Sequence, residues 1–369
     1  MFALIYSAAK KGVAYMVLII ERAKWHNNCW EDPINDEFKR SFGIASNVIV
    51  ADDSSFDKKE MIDYVLINFG SKIEDHIVDK DHIRDDSFNI DKINAYFSKT
   101  THNVVIEYVM LDADAPLKQD AIRIAEHIIE LSKKSNTRTI NLVGLSKGGM
   151  INMYVPSLLT EDSRKKTSIY NVATPYVGTL MASPLYFYPK VKELVQSKFG
   201  DNRSSEIIYK VLINFYESIS SNSHMDYDIA MKDGVPSNKL DYYDKTFVEN
   251  VFSKENIEAL KQIYGVHNFV TGISKGVFSR AMKDWDYMAI GLCILNKWFF
   301  NGESDGFVKS SEQYIIEDHL DFVKSTNLSS SHVFFNNHEL YKVLQCIYDS
   351  INEYGRQRKR NFSEEKECK

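Results

Sequence analysis
The sequence predicts an α/β protein, a mostly parallel twisted sheet flanked by helices. Two observations carry this. Short apolar, β-branched runs alternate with stretches of helical period from about Ser46 to Ala173. One such run ends in a turn with glycines on both sides of a serine, and that turn opens a helix.

The elements follow in order. Asn47 to Val50 is a short β-branched run, and Tyr64 to Ile67 is a second, ending in Asn68-Phe69-Gly70-Ser71. Val104 to Leu111 reads as a buried strand that stops at the turn-prone Asp112-Ala113-Asp114-Ala115-Pro116. Ile122, Ala125, Ile128, Ile129 and Leu131 recur at helical spacing. Thr139 to Val143 is a strand, Gly148 onward a helix, and Ile169 to Ala173 a strand. The alternation then lapses. Leu180 to Tyr264 is rich in helix formers and aromatics, and strand pattern returns at Val266 to Thr271. These shifts predict an N-terminal extension over 1–45, a core over 46–179 and 265–350, a helical lid or cap over 180–264, and a charged tail over 351–369.

Composition narrows the function classes. The 369 residues are 44% hydrophobic and 26% charged, ordinary values for a folded globular chain. A formal net charge of −6 gives no general attraction to nucleic acid. Cys29, Cys293, Cys346 and Cys368 show no patterned spacing, so neither a disulfide framework nor a zinc site is expected, and no cofactor. Val13 to Ile20 is shorter than the roughly 20 apolar residues of a membrane span. Glu21, Arg22 and Lys24 follow that stretch, an order that does not fit a secretory signal. The expected location is cytoplasmic, although a non-classical export route would leave the same features. Peripheral membrane contact is a secondary possibility, and no obligate protein partner is expected. The charged loop with His76, His82 and its aspartates is interleaved with Lys72, Lys80 and Arg84, a solvated loop and not a metal site.

Gly144-Leu145-Ser146-Lys147-Gly148 is a G-x-S-x-G sequence. Alone it is a weak signal. Here it lies between the strand Ile140 to Val143 and a helix carrying Met150, Met153 and Tyr154, the strand–turn–helix that lifts a nucleophilic serine clear of a sheet. The N–H of Lys147, at the helix start, then faces a developing oxyanion. A Walker-type phosphate loop is excluded, because Ser146 precedes Lys147 and the glycines follow.

Residues 141–150 resemble the nucleophile elbow of lipase-like serine esterases of the α/β-hydrolase superfamily. Val172-Ala173-Thr174-Pro175-Tyr176-Val177-Gly178-Thr179 resembles the strand and turn that follow it in many of them, and Ser304-Asp305-Gly306-Phe307-Val308 resembles the segment that bears their acid. Three features depart from the pattern. Lys147 and Leu145 replace commoner residues, and Asn68-Phe69 stands where a His-Gly pair is frequent.

A nucleophilic serine needs a base, and the base needs an orienting carboxylate, in the chain order Ser, acid, His. Asp305 is the expected acid, with Asp284, Asp286 and Asp318 as alternatives. Downstream lie His319, His332 and His338. The resemblance places the base in a loop ahead of the final helix, which favours His332. His338 is second, and His319 follows Asp305 too closely. The oxyanion donors are expected from Lys147 and from Phe69 or Gly70. The implied activity is cleavage of acyl esters through a Ser-His-Asp triad and an acyl-enzyme, and the expected partner is an acyl ester or lipid substrate. The alternatives are an acyltransferase with the same triad and a catalytically inactive hydrolase-fold binding protein.

Overall fold
The computed structural model describes residues 48–50, 61–68, 90–109, 117–176, 184–219, 250–274, 279, 293, 296–297, 302, 304–314, 320–332 and 337–367. Among the described residues seven strands form one sheet: β1 (Val48–Val50), β2 (Ile62–Asn68), β3 (Asn103–Val109), β4 (Thr137–Leu145), β5 (Thr167–Val172), β6 (Gly265–Gly272) and β7 (Lys324–Ser329). Their spatial order is β1-β3-β2-β4-β5-β6-β7. The edge strand β1 is antiparallel to β3, and every other pairing is parallel. This is the α/β-hydrolase arrangement: a mostly parallel sheet, with the serine turn following a central strand.

The central strands are buried on both sides, and each carries a short apolar run, Tyr64 to Ile67 in β2 among them, beside buried polar residues such as Asp63 and Asn141. Alternate residues of β4 feed opposite faces. Ile140 and Leu142 join one apolar cluster and Val143 and Leu145 the other. The first cluster is closed by α2 (Leu117–Lys133), α3 (Lys147–Leu158) and α7 (Lys254–Leu260). The second is closed by α1 (Ile90–Phe97) and α8 (Asn337–Glu367). On α2 the buried Leu117, Ala121, Ile124, Ala125, Ile128 and Leu131 recur every three or four residues, the stripe a helix needs to lie on a sheet. Each fully buried Leu or Ile side chain contributes about 1.5–3 kcal/mol.

After β5 come α5 (Pro184–Phe199) and α6 (Arg203–Ile219), and α7 then leads into β6; residues 177–183 and 220–249 of the expected lid and its approach lie outside the described residues. The short α4 (Glu161–Lys166), capped by Thr160, sits between α3 and β5. Two differences from the sequence expectation have physical reasons. The charged stretch expected as a tail continues α8 to Glu367, because its Arg, Lys, Gln and Glu residues favour helix and no proline interrupts them. β7 was not anticipated, since Lys324-Ser325-Thr326-Asn327 is a polar, exposed edge that breaks no apolar pattern. The extension over 1–45 and the loop over 71–89 lie outside the described residues. Among the described residues no helix is long and apolar enough to cross a membrane.

Candidate active site
The C-terminal ends of β4 to β7 converge on one edge of the sheet, where open α/β sheets hold their ligands. Ser146 follows β4 directly and adopts φ 54°, ψ −123°, a left-handed conformation that costs a non-glycine residue about 1–3 kcal/mol. The surroundings enforce it. Its N–H donates to the Val172 carbonyl at 2.8 Å, and its carbonyl accepts from the Gly149 N–H at 3.0 Å. A Cβ on Gly148 would collide with the Asn68 side-chain oxygen and stand 2.7 Å from its carbonyl oxygen. A Cβ on Gly149 would collide with the hydroxyl of Thr174. The elbow and the Thr174-Pro175 turn are therefore packed as one unit, which joins two of the three motifs noted in the sequence.

Lys147 opens α3, so its N–H is among the first-turn amides that no helical carbonyl accepts. Its side chain is buried. Phe69 and Gly70, expected to supply the second oxyanion donor, lie outside the described residues, as do Asp284, Asp286, Asp318 and His319.

Asp305 is fully buried in a turn that its own side chain organises. Its Oδ1 accepts from the N–H groups of Phe307 (3.0 Å) and Val308 (2.8 Å). Gly302 and Gly306 on either side adopt φ 87° and 96°, which favour glycine. Ser304 donates from both its N–H and its hydroxyl to Asn296 Oδ1.

His332 follows β7. Its N–H donates to the Asp305 carbonyl at 2.9 Å, tying the two loops together. The imidazole lies 2.8 Å through Nδ1 from Asp305 Oδ2 and 2.9 Å through Nε2 from Ser146 Oγ. Because an ionised carboxylate only accepts, Nδ1 carries the proton and Nε2 is left to accept from the Ser146 hydroxyl. The Phe307 ring stacks on the imidazole at 5.1 Å and 23°, further limiting its rotation.

Ser146, His332 and Asp305 thus form one hydrogen-bonded chain. His338 does not reach it. It is exposed on the first turn of α8, at a groove of about 570 Å³ lined also by His267, Lys324 and Cys346. Two contacts of the acid had no sequence signal. Thr271 Oγ1 donates to Asp305 Oδ2 at 2.6 Å, and Gln313 Nε2 donates to the same oxygen at 3.2 Å. Next to Gln313, burial pushes the Glu312 carboxyl up to about 7, an effect opposed by hydrogen bonding from the Lys309 backbone and reinforced by Asp305. Among the described residues no three His, Cys, Asp or Glu side chains come together to hold a metal.

No family model matches this chain, and neither does any curated protein sequence. Among solved structures, the chain is similar to the mature lipase BlEst2 of Bacillus licheniformis, at 12% identity over 83% of this chain and 99% of that one, with a TM-score of 0.46. It is also similar to the metagenomic carboxyl esterase MGS0156, at 13% identity over 80% and 76% of the two chains and a TM-score of 0.44. A lipase-esterase related protein from Clostridium acetobutylicum matches at 12% identity over 82% and 98%, with a TM-score of 0.38.

Proposed function
We propose that this protein is a serine hydrolase that cleaves carboxylic (acyl) esters through Ser146, His332 and Asp305. The observation that carries the reading is the unbroken hydrogen-bonded chain from Ser146 Oγ through His332 to Asp305, with the serine held in a left-handed turn between β4 and α3. Backbone strain at a residue whose side chain is not part of the core supports reading this turn as held for chemistry.

In the proposed reaction Ser146 Oγ attacks the ester carbonyl carbon as its proton passes to His332 Nε2. Asp305 keeps the imidazole in the required tautomer and stabilises the imidazolium that forms. The oxyanion is met by the N–H of Lys147 and by a second donor assigned to Phe69 or Gly70. Collapse expels the alkoxide, which takes the proton from His332 and leaves as the alcohol. A water molecule, deprotonated by His332, then attacks the acyl-enzyme, and the carboxylic acid departs as Ser146 recovers its proton. The same reading assigns the helical insertion to covering the acyl group.

A fluorophosphonate probe tests the reading. Wild type should be labelled covalently, and Ser146→Ala should take no label while keeping its thermal midpoint, since one half-buried hydroxyl is lost and no core packing. A wild type that takes no label and turns over no ester is a binding protein on a hydrolase scaffold, and the proposal fails.

A further inference from the structure
We infer that Thr271 and Gln313 are positioning residues for the acid of this site, fixing Asp305 Oδ2 and through it the His332 ring. The inference rests on the hydrolase reading above.

The two oxygens of Asp305 are held by different means. Oδ1 receives the backbone N–H groups of its own turn, which almost any local sequence supplies. Oδ2, the oxygen that faces His332, receives two side-chain donors from elsewhere in the fold, the Thr271 hydroxyl and the Gln313 amide. Thr271, Gln313 and Asp305 are all fully buried, so no solvent competes for these bonds.

Sheet geometry explains why a glutamine stands there. β5 and β6 pair from Ser168 opposite Gly265 to Val172 opposite Phe269, and the Ala173 N–H then reaches the Phe269 carbonyl at 3.0 Å. Ala173 turns away with φ 53°, and among the described residues no strand pairs with the same edge of β6 two residues on, at Thr271. Gln313 fills that place. Its Oε1 accepts the Thr271 N–H at 2.7 Å, and its Nε2 donates to the Thr271 carbonyl at 3.1 Å. One amide side chain thus continues the ladder of β6, and from that anchored position its Nε2 also meets Asp305.

The short 3₁₀ turn Ser310–Gln313 is itself stapled to the strand ends. Asn268 Nδ2 donates to the Gln313 carbonyl at 2.8 Å, and the Tyr176 N–H donates to the Glu312 carbonyl at 3.0 Å. The acid is therefore referenced to β5 and β6, the strands beside the elbow, and not only to its own loop. A loop carboxylate held solely by its turn moves with the loop, whereas one bonded to Thr271 and Gln313 keeps its register with Ser146.

The test compares wild type with Thr271→Val, which keeps volume and backbone but removes the hydroxyl, and Thr271→Ser, which restores the donor. kcat and KM are measured on p-nitrophenyl butyrate, with the rate of fluorophosphonate labelling and the thermal midpoint alongside. Thr271→Val should lose about ten- to a hundredfold in kcat, the weight of one hydrogen bond to a charged group, with KM within about twofold of wild type. Thr271→Ser should recover most of that loss. Wild-type kcat and labelling in Thr271→Val overturn the inference and leave the hydrolase reading intact. A folded Thr271→Ser as slow as Thr271→Val also overturns it, since packing and not the hydroxyl then matters. If Thr271→Val does not fold, Gln313→Met removes the other donor, and wild-type kcat there is equally fatal. A wild type without labelling or turnover overturns both readings together.

Discussion

At the scale of single residues, the site is governed by atoms that have no room to move. Ser146 keeps its left-handed backbone because the neighbouring glycines let Asn68 and Thr174 close around the turn. Gly148→Ala places a methyl against Asn68, whose carbonyl lies at the end of β2 and cannot withdraw without breaking the sheet. We expect a loss of about 1–3 kcal/mol in stability by urea unfolding, together with most of the activity. A variant as stable and active as wild type would show that the elbow is looser than its contacts imply. Two of the histidines after Asp305, His332 and His338, separate as cleanly. His332→Ala removes the group that bridges Ser146 and Asp305, and kcat should fall by about three orders of magnitude or more. His338→Ala alters an exposed side chain at a separate groove, and kcat should stay within about twofold. The opposite ranking in side-by-side assays would move the base to His338.

At the scale of elements, β6 and α8 meet through a pair that makes stability depend on pH. His267 stacks flat on Tyr170 at 5.0 Å and 7°, with Cys346 Sγ 3.2 Å from its Nδ1. Burial, assisted by the Lys324 charge, pulls the imidazole down to about 4, while burial pushes the Cys346 thiol up to about 11, so both are neutral near pH 7. Between about pH 6.5 and 4 the unfolded chain binds a proton at His267 that the folded protein does not, so stability falls as pH falls through that window. His267→Phe keeps the stack and removes the titration. Its thermal midpoint should drop less than that of wild type from about pH 7 to about pH 5, and an equally steep drop would refute the assignment. The same element level explains what was legible in sequence. β2, β4 and β5 are covered on both faces and each has a short apolar run at its centre, whereas β7 is a polar edge and α8 ends in charge, and neither carries a periodic apolar mark beyond its buried face. Ser146, Asp305 and His332 stand in short motifs or ahead of a recognisable helix. Thr271 and Gln313 act on a carboxylate 34 and 8 residues away, through a strand edge that only the folded sheet creates.

At the scale of the whole molecule, the chain leaves the catalytic edge after β5, builds α5 and α6, and returns through α7 to enter β6 from the opposite edge. α5 and α6 pack against each other as a hairpin. Gly200, at φ 78°, ends α5 with its N–H on the Gln196 carbonyl, and Asn202 Oδ1 accepts the Ser205 N–H to start α6. Among the described residues, the buried Val191 and Val195 on one helix and Ile208 and Leu212 on the other belong to neither of the clusters that flank the sheet. If this hairpin covers the acyl group, as proposed, each added methylene of an ester finds apolar surface there. kcat/KM should then rise with acyl length, by up to about fourfold per methylene while the chain is buried. A series of p-nitrophenyl esters from acetate to decanoate measures this directly. A flat profile, or a preference for acetate, would remove the hairpin from substrate binding and leave an esterase of small acyl groups, with Ser146, His332 and Asp305 unaffected.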